Sequence, residues 1–220
     1  MHQIHSFRIR TVKAMKIGLF GGTFNPIHYG HLRVAEEVRE AFLLDKIIFI
    51  PAGIPPLKKY DIVEAMHRLK MTELAVKDNP FFEVSDFEAK QKKPSYTINT
   101  LTHLKRLYQK DTLFFIMGID AFLELKSWYR YEELLRMVDF IIMSRPGFDN
   151  LQNYEFIEDE EAENCFKIKN SDKRAFFISV SPFWISSTQI RKMIQNEKSI
   201  RYLVPEEVRK YIEDNKLYRE

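Results

Sequence analysis

Two histidines three residues apart, His28 and His31, stand in the stretch GGTFNPIHYGHLR that runs from Gly21 to Arg33. The apolar segment MKIGLF leads into it, and VAEEVREAF, of helical character, leads out. Glycines at a strand-to-helix turn let backbone N–H groups approach a ligand, and the helix N-terminus behind them carries partial positive charge. That arrangement suits a phosphate. Imidazoles at the helix entrance can face one pocket and donate to phosphate oxygens whose charge grows during a reaction. Two other chemistries compete for the same residues. Turn histidines can be satisfied by backbone alone. Paired histidines can also ligate zinc, but that needs a third ligand, and no nearby Cys or acidic residue has the spacing. The stretch is neither a P-loop, since no GKS or GKT follows, nor a dinucleotide fingerprint, since GGTFNP lacks that glycine spacing.

The elements that must position these residues follow a β-α rhythm. KIGLF precedes a helix near 30–43, and KIIFI precedes the helix DIVEAMHRLKMTELAVK, whose Ile62, Ala65, Met66 and Leu69 share one face. FFEVSDF, a helix near 97–109, TLFFIMG, the helix YEELLRMV and DFIIMS continue the alternation. Continuous apolar strands between helices argue for a parallel sheet covered on both faces, a Rossmann-like doubly wound α/β fold. Ligands of such sheets bind beyond the carboxyl ends of the strands, where GGTFNPIH falls. Residues 148–174 carry an acidic run and then a basic one, the pattern of a solvated loop or helix face. AFFISV follows as a last strand. A helical C-terminal extension begins near 182, with Ser or Thr ahead of QIRKMI able to cap one helix and Pro205 suited to the first turn of the next.

Composition bounds the reading. The 220 residues are 45% hydrophobic and 30% charged, ordinary for a globular protein, and suffice for a real core. Most of the 18 phenylalanines lie in strand-like runs. A net charge of +3 is too small to argue for nucleic acid, and no run is long and apolar enough for a membrane span. The single cysteine, Cys165, permits no intrachain disulfide, which suits a reducing compartment, the cytoplasm by default. No Asp or Glu precedes Glu36, whereas Arg8, Arg10, Lys13, Lys16 and Arg33 all do. An organelle transit peptide has that composition. The reading taken is an extension over residues 1–14, ahead of one domain over 15–220, with Met15 an alternative start.

GTFNPIHYGH resembles the phosphate-binding motif of the nucleotidyltransferase superfamily, which is related to the HIGH signature of class I aminoacyl-tRNA synthetases. A second stretch, ISSTQIR at 185–191, resembles the C-terminal motif of that superfamily. Between them lie FIPAGIPPLKK, RLKMTELAV, PSYTINTL, FIMGIDAF, SWYRYEEL and MSRPG, with YLVPEEVRKYI after. The whole set, from Met15 to Tyr218, is similar to the bacterial nicotinate-nucleotide adenylyltransferase family.

This resemblance implies transfer of the adenylyl group of ATP to nicotinate mononucleotide, giving nicotinate adenine dinucleotide and pyrophosphate on the way to NAD. It implies Mg²⁺ carried by the ATP, with no metal ligand assigned to the protein. His28, His31 and Arg191 are the implied catalytic residues. Gly21, Gly22, Thr23 and Phe24 would line the phosphate loop, and Ile185, Ser186, Ser187, Thr188 and Arg191 would hold the leaving pyrophosphate. Gly118 and Asp120 of GID would meet the nucleotide. Lys58, Ser95, Tyr96, Thr97, Trp128, Tyr129 and Arg145 would serve the second substrate and its phosphate, Trp128 stacking on the pyridine ring. Asn25, Leu57 and Asn99 depart from the usual Asp, His and Asp of the family. Rival readings are an adenylyltransferase for the nicotinamide mononucleotide or another phosphate such as phosphopantetheine, and a nucleotide sensor without turnover. Homo-oligomerisation stays open.

Overall fold

The computed structural model of the chain describes residues 13–56, 62–144, 157–162 and 164–219. The first three β-α alternations come from the segments named above: β1 (Lys16–Gly22), α1 (Tyr29–Ala41), β2 (Lys46–Pro51), α2 (Ala65–Val76), β3 (Phe82–Val84) and α3 (Thr97–Leu107). They are followed by β4 (Thr112–Gly118), the short helices α4 (Ile119–Leu123) and α5 (Tyr131–Leu134), and β5 (Asp139–Ser144). Among the described residues one eight-stranded sheet forms, in the order β3-β2-β1-β4-β5-β8-β7-β6, where β6 is Ile157–Ala162, β7 Cys165–Ile168 and β8 Arg174–Ser179. The strands from β3 to β8 in that order are parallel; β7 and β6 are added antiparallel at one edge.

The parallel strands bury both faces, as their unbroken apolar runs require. Ile17, Leu19, Ile48, Ile50, Phe115 and Phe140 belong to the core under one face. Phe20, Phe24, Ile47, Phe49, Phe114 and Ile116 belong to the core under the other. The chain leaves β1 toward β2 and β3 and returns to β4 on the opposite side of β1, so the order reverses between β1 and β4. These two strands pair only from Lys16–Thr112 to Phe20–Ile116, while β1 goes on pairing β2 to Gly22 and β4 goes on pairing β5 to Gly118. A crevice therefore opens between Gly21–Gly22 and Met117–Gly118, at the switch point where such folds take ligands.

Three expectations need correction. The charged run is partly sheet: residues 157–162 form β6 and 165–168 form β7, an antiparallel ribbon at the sheet edge, where charged residues are common. Helix α2 begins at Ala65, leaves Met66 exposed and buries Arg68, Leu69, Met71, Thr72 and Val76. The expected face missed Arg68, since an arginine in an amphipathic helix reads as solvated. YEELLRMV yields a single helical turn, α5.

The C-terminal helices α6 (Ser187–Gln195) and α7 (Glu206–Asp214) are no appendage. Ile190, Val204, Val208, Ile212, Leu217 and Tyr218 share the core of Phe20 and Phe24. Ser186 caps α6 by accepting the Gln189 N–H at 3.1 Å, as its sequence signature predicts. Among the described residues no helix is long and apolar enough to cross a membrane.

Phe140, fully buried in β5, packs edge-to-face on Phe115 with centroids 6.1 Å apart. Phe140→Ala is expected to lower stability by about 3–5 kcal/mol through lost burial and the cavity left behind. Urea unfolding monitored by circular dichroism checks this, and a loss below about 1 kcal/mol would show that the sheet does not pack there as described.

Candidate active site

The loop after β1 turns at Phe24, whose φ of 46° lies in the left-handed region that a bulky residue enters at a cost. Burial of its ring offsets that cost: Phe24 is 3% exposed and meets Phe20 and His31 edge-to-face at 5.7 and 5.1 Å. Phe24 thus contributes backbone to the loop rather than a side chain to its surface. Asn25, the departure from the usual Asp, is 4% exposed, and its Oδ1 accepts the Tyr218 hydroxyl at 2.9 Å and the Val63 N–H at 3.3 Å. Burial pushes the Tyr218 phenol up, keeping it a neutral donor.

At the start of α1 the rings of His28 and His31 stack at 3.7 Å. The His28 N–H donates to His31 Nδ1 at 3.3 Å. A neutral imidazole that accepts at Nδ1 carries its proton on Nε2, so His31 presents a donor there. His28 is 5% exposed, and its Nδ1 is buried without a hydrogen-bond partner. The ring lies against Gly30, where an added Cβ would sit 3.0 Å from His28 Nδ1 and 3.8 Å from the Ile185 carbonyl oxygen. Gly30 is therefore what lets the His28 ring pack so closely against the first turn of α1.

The second motif closes on the first. Ser187 Oγ donates to the Pro26 carbonyl at 2.9 Å, and an Arg191 guanidinium nitrogen donates to the Asn25 carbonyl at 3.0 Å. The Tyr29 N–H donates to the Leu203 carbonyl at 3.0 Å. Ser186 and Thr188 are exposed at the head of α6 and line a groove of about 430 Å³ with Gln189, Lys192, Met193, Asn196 and Lys198. Arg191 spends one of its five donors on Asn25 in this pair, and its fork geometry suits phosphate oxygens.

Across the crevice, Gly118 ends β4, and a Cβ built there would meet nothing within 4 Å. Asp120 stands exposed in the first turn of α4. Tyr96 and Thr97 sit at the N-terminus of α3, with the Tyr96 and Tyr129 rings 4.7 Å apart. Trp128 is half-buried and packs edge-to-face on Phe115 at 6.3 Å, so part of its surface belongs to the core. The Ser95 hydroxyl accepts the Gly53 N–H at 2.9 Å and also bonds the buried Glu88, whose carboxyl is pushed up by that burial. Ser95 is thereby committed within the protein. Lys58, Leu57 and Arg145 lie outside the described residues.

Sequence reasoning missed Arg68. It is 1% exposed and donates to three backbone carbonyls, Val63 at 3.0 Å, Thr23 at 2.8 Å and Gly53 at 2.7 Å. The only signal was its place in RLKMTELAV.

Comparison with known proteins fits this geometry. A family model described as cytidylyltransferase-like matches residues 19–193. The chain is 45% identical over 205 residues to a protein of Desulfitobacterium hafniense (strain Y51) named "Probable nicotinate-nucleotide adenylyltransferase", spanning 93% of this chain and 96% of the relative. The nicotinate-nucleotide adenylyltransferase of Bacillus subtilis (strain 168) is 40% identical over 204 residues, 92% of this chain and 98% of its own. Among solved structures, Plasmodium falciparum nicotinic acid mononucleotide adenylyltransferase complexed with NaAD has the same fold, with a TM-score of 0.71 over 93% of this chain and 97% of that one at 23% identity. The chain belongs to the cytidylyltransferase-like family and, within it, to the nicotinate-nucleotide adenylyltransferases.

Burial holds the His28 imidazole neutral, its pKa lowered from 6.5 to about 4. Between those values the unfolded chain binds a proton at His28 that the folded chain excludes, so stability falls as pH drops through that window. The expected contribution at its lower end is about 3 kcal/mol. Urea unfolding at pH 7 and pH 4.5 should show a smaller acid loss in His28→Gln than in the wild type; equal losses would contradict the burial of a neutral ring.

Proposed function

We propose that the chain transfers the adenylyl group of ATP to nicotinate mononucleotide, releasing pyrophosphate, in the cytoplasm. The observation that carries this reading is the meeting of the two motifs at the switch point, HxGH at the head of α1 and ISSTQIR at the head of α6, joined through the carbonyls of Asn25 and Pro26. Two helix N-termini with hydroxyls, imidazoles and a guanidinium suit a polyphosphate.

A phosphate oxygen of the mononucleotide attacks the α-phosphorus of ATP in line, forming a new P–O bond while the bond to the bridging oxygen of the β-phosphate breaks. Pyrophosphate leaves with both electrons of that bond. Catalysis then consists of positioning and of stabilising charge on the phosphoryl oxygens. His31 donates from Nε2, and His28 donates from its ring N–H. Gly21, Gly22, Thr23 and Phe24 present the loop backbone, and Gly118 and Asp120 face the nucleoside, Asp120 as acceptor for a ribose hydroxyl. Ile185, Ser186, Ser187, Thr188 and Arg191 take the pyrophosphate.

On the acceptor side, the first turn of α3 offers amides without intrahelical partners near Tyr96 and Thr97, suited to the nicotinate carboxylate. Trp128 and Tyr129 supply flat surface for its ring. Ser95 acts from behind, through Gly53. Mg²⁺ enters as part of the ATP substrate. Hard Mg²⁺ prefers phosphate oxygens and water over imidazole.

Purified protein with MgATP should release pyrophosphate with nicotinate mononucleotide well above the release with nicotinamide mononucleotide or phosphopantetheine. Release with the amide alone would overturn the carboxylate pocket, and no release with any acceptor would make the chain a nucleotide sensor. His31→Ala is expected to lower turnover by roughly 10²–10³, the cost of removing one preorganised donor; near-normal turnover would remove His31 from the site.

A further inference from the structure

Among the described residues, the mononucleotide side and the phosphate loop stand on different parts of the chain, the first on the segments following β3 and β4, the second on the segment following β1. In-line transfer demands that the attacking oxygen and the α-phosphorus meet at a fixed distance and angle, and a misplacement of about 1 Å costs on the order of 10² in rate. Some element must set the two halves in register. Among the described residues, Arg68 ties the phosphate loop to Gly53 beyond β2, from which Ser95 leads on to α3.

Its geometry is that of a three-way clasp. One terminal nitrogen holds the Thr23 carbonyl of the phosphate loop at 2.8 Å, and the other holds the Gly53 carbonyl just beyond β2 at 2.7 Å. Nε holds the Val63 carbonyl ahead of α2 at 3.0 Å. All three partners are main-chain carbonyls, not carboxylates. A charge buried to 1% exposure is costly unless its donors are satisfied, and burial lowers the guanidinium only to about 10, so it stays protonated at neutral pH.

The clasp continues on the far side of Gly53. The Gly53 N–H donates to Ser95 Oγ at 2.9 Å, and the Ser95 N–H donates to the Ile54 carbonyl at 2.9 Å. A Cβ on Gly53 would lie 2.1 Å from the Glu88 carbonyl oxygen, so backbone presses on backbone there. Glu88 in turn accepts Thr100 Oγ1 at 2.5 Å, inside α3. A continuous path thus runs from Thr23 through Arg68, Gly53 and Ser95 to the start of α3 at Thr97. The Val63 N–H completes the frame from the other side by donating to Asn25 Oδ1 at 3.3 Å.

We infer that Arg68 is a positioning residue that registers the phosphate loop against the mononucleotide side of the site. It does so by fixing the carbonyls of Thr23 and Gly53 relative to one another. The inference rests on the adenylyltransferase reading given above, and on no contact between Arg68 and either substrate. Its planar fork is essential, because an ammonium is a single point of donors and cannot reach three carbonyls on separate segments.

Steady-state kinetics of Arg68→Lys test it, with ATP affinity measured by calorimetry in the absence of acceptor and the thermal midpoint recorded alongside. The expected result is a fall in kcat of roughly 10–100-fold, with the ATP Kd and the KM for the mononucleotide little changed. A purely structural clasp would lower the midpoint but leave kcat per folded molecule intact, and that result would overturn the inference. So would a rise in both KM values with kcat preserved. Should Arg68→Lys not fold, Ser95→Ala decides: it loosens Gly53 from the opposite side and should lower kcat several-fold with ATP affinity retained, whereas unchanged kcat would overturn the inference. Failure of the adenylyltransferase reading appears in the wild type, which would release no pyrophosphate with nicotinate mononucleotide, and the inference would fall with it. Failure of the inference alone appears only in the variants.

Discussion

The backbone carbonyls of the loop after β1 are taken by side chains from other elements: Thr23 by Arg68, Asn25 by Arg191 and Pro26 by Ser187. A loop that cradles an anion must present its N–H groups, and its carbonyls need acceptor duty elsewhere. Donors from α2 and α6 meet that need here. They also fix where α6 stands relative to α1, which brings the two motifs together although most of the chain separates them. They act together with the core packing of Ile190 and Val204 and the Tyr29–Leu203 hydrogen bond.

The price of this arrangement is burial of polar groups. Arg68, Asn25, His28 and Glu88 all lie under 9% exposed. Three of them are satisfied by named partners, while His28 keeps one unpaired nitrogen. The C-terminal segment belongs to the frame too, since Tyr218 reaches Asn25 from close to the end of the described chain. Asn25 in place of Asp therefore keeps the acceptor that Tyr218 and Val63 need without placing a buried negative charge beneath the cradle.

Much of the fold was legible because parallel strands buried on both faces leave unbroken apolar runs such as TLFFIMG and DFIIMS, which coincide with β4 and β5. The first motif was legible because glycines and histidines crowd one strand-to-helix turn, and the second through its resemblance to the C-terminal motif of the superfamily. Arg68 was not, since nothing in an amphipathic pattern tells a buried arginine from a solvated one until the carbonyls it meets are known. Strand β6 was hidden by its acidic residues, and nothing in PSYTINTL told that the Ser95 hydroxyl meets Gly53 and Glu88. Trp128 proved to be half core and half surface, a division that sequence cannot make.

A crystal structure of the protein with MgATP bound tests the account most directly. Phosphate oxygens should lie about 3 Å from His31 Nε2 and from the amides or hydroxyls of Ser186–Thr188, with the Thr23, Asn25 and Pro26 carbonyls still held by Arg68, Arg191 and Ser187. A triphosphate seated away from the heads of α1 and α6, or a loop whose carbonyls have left those partners, would contradict it.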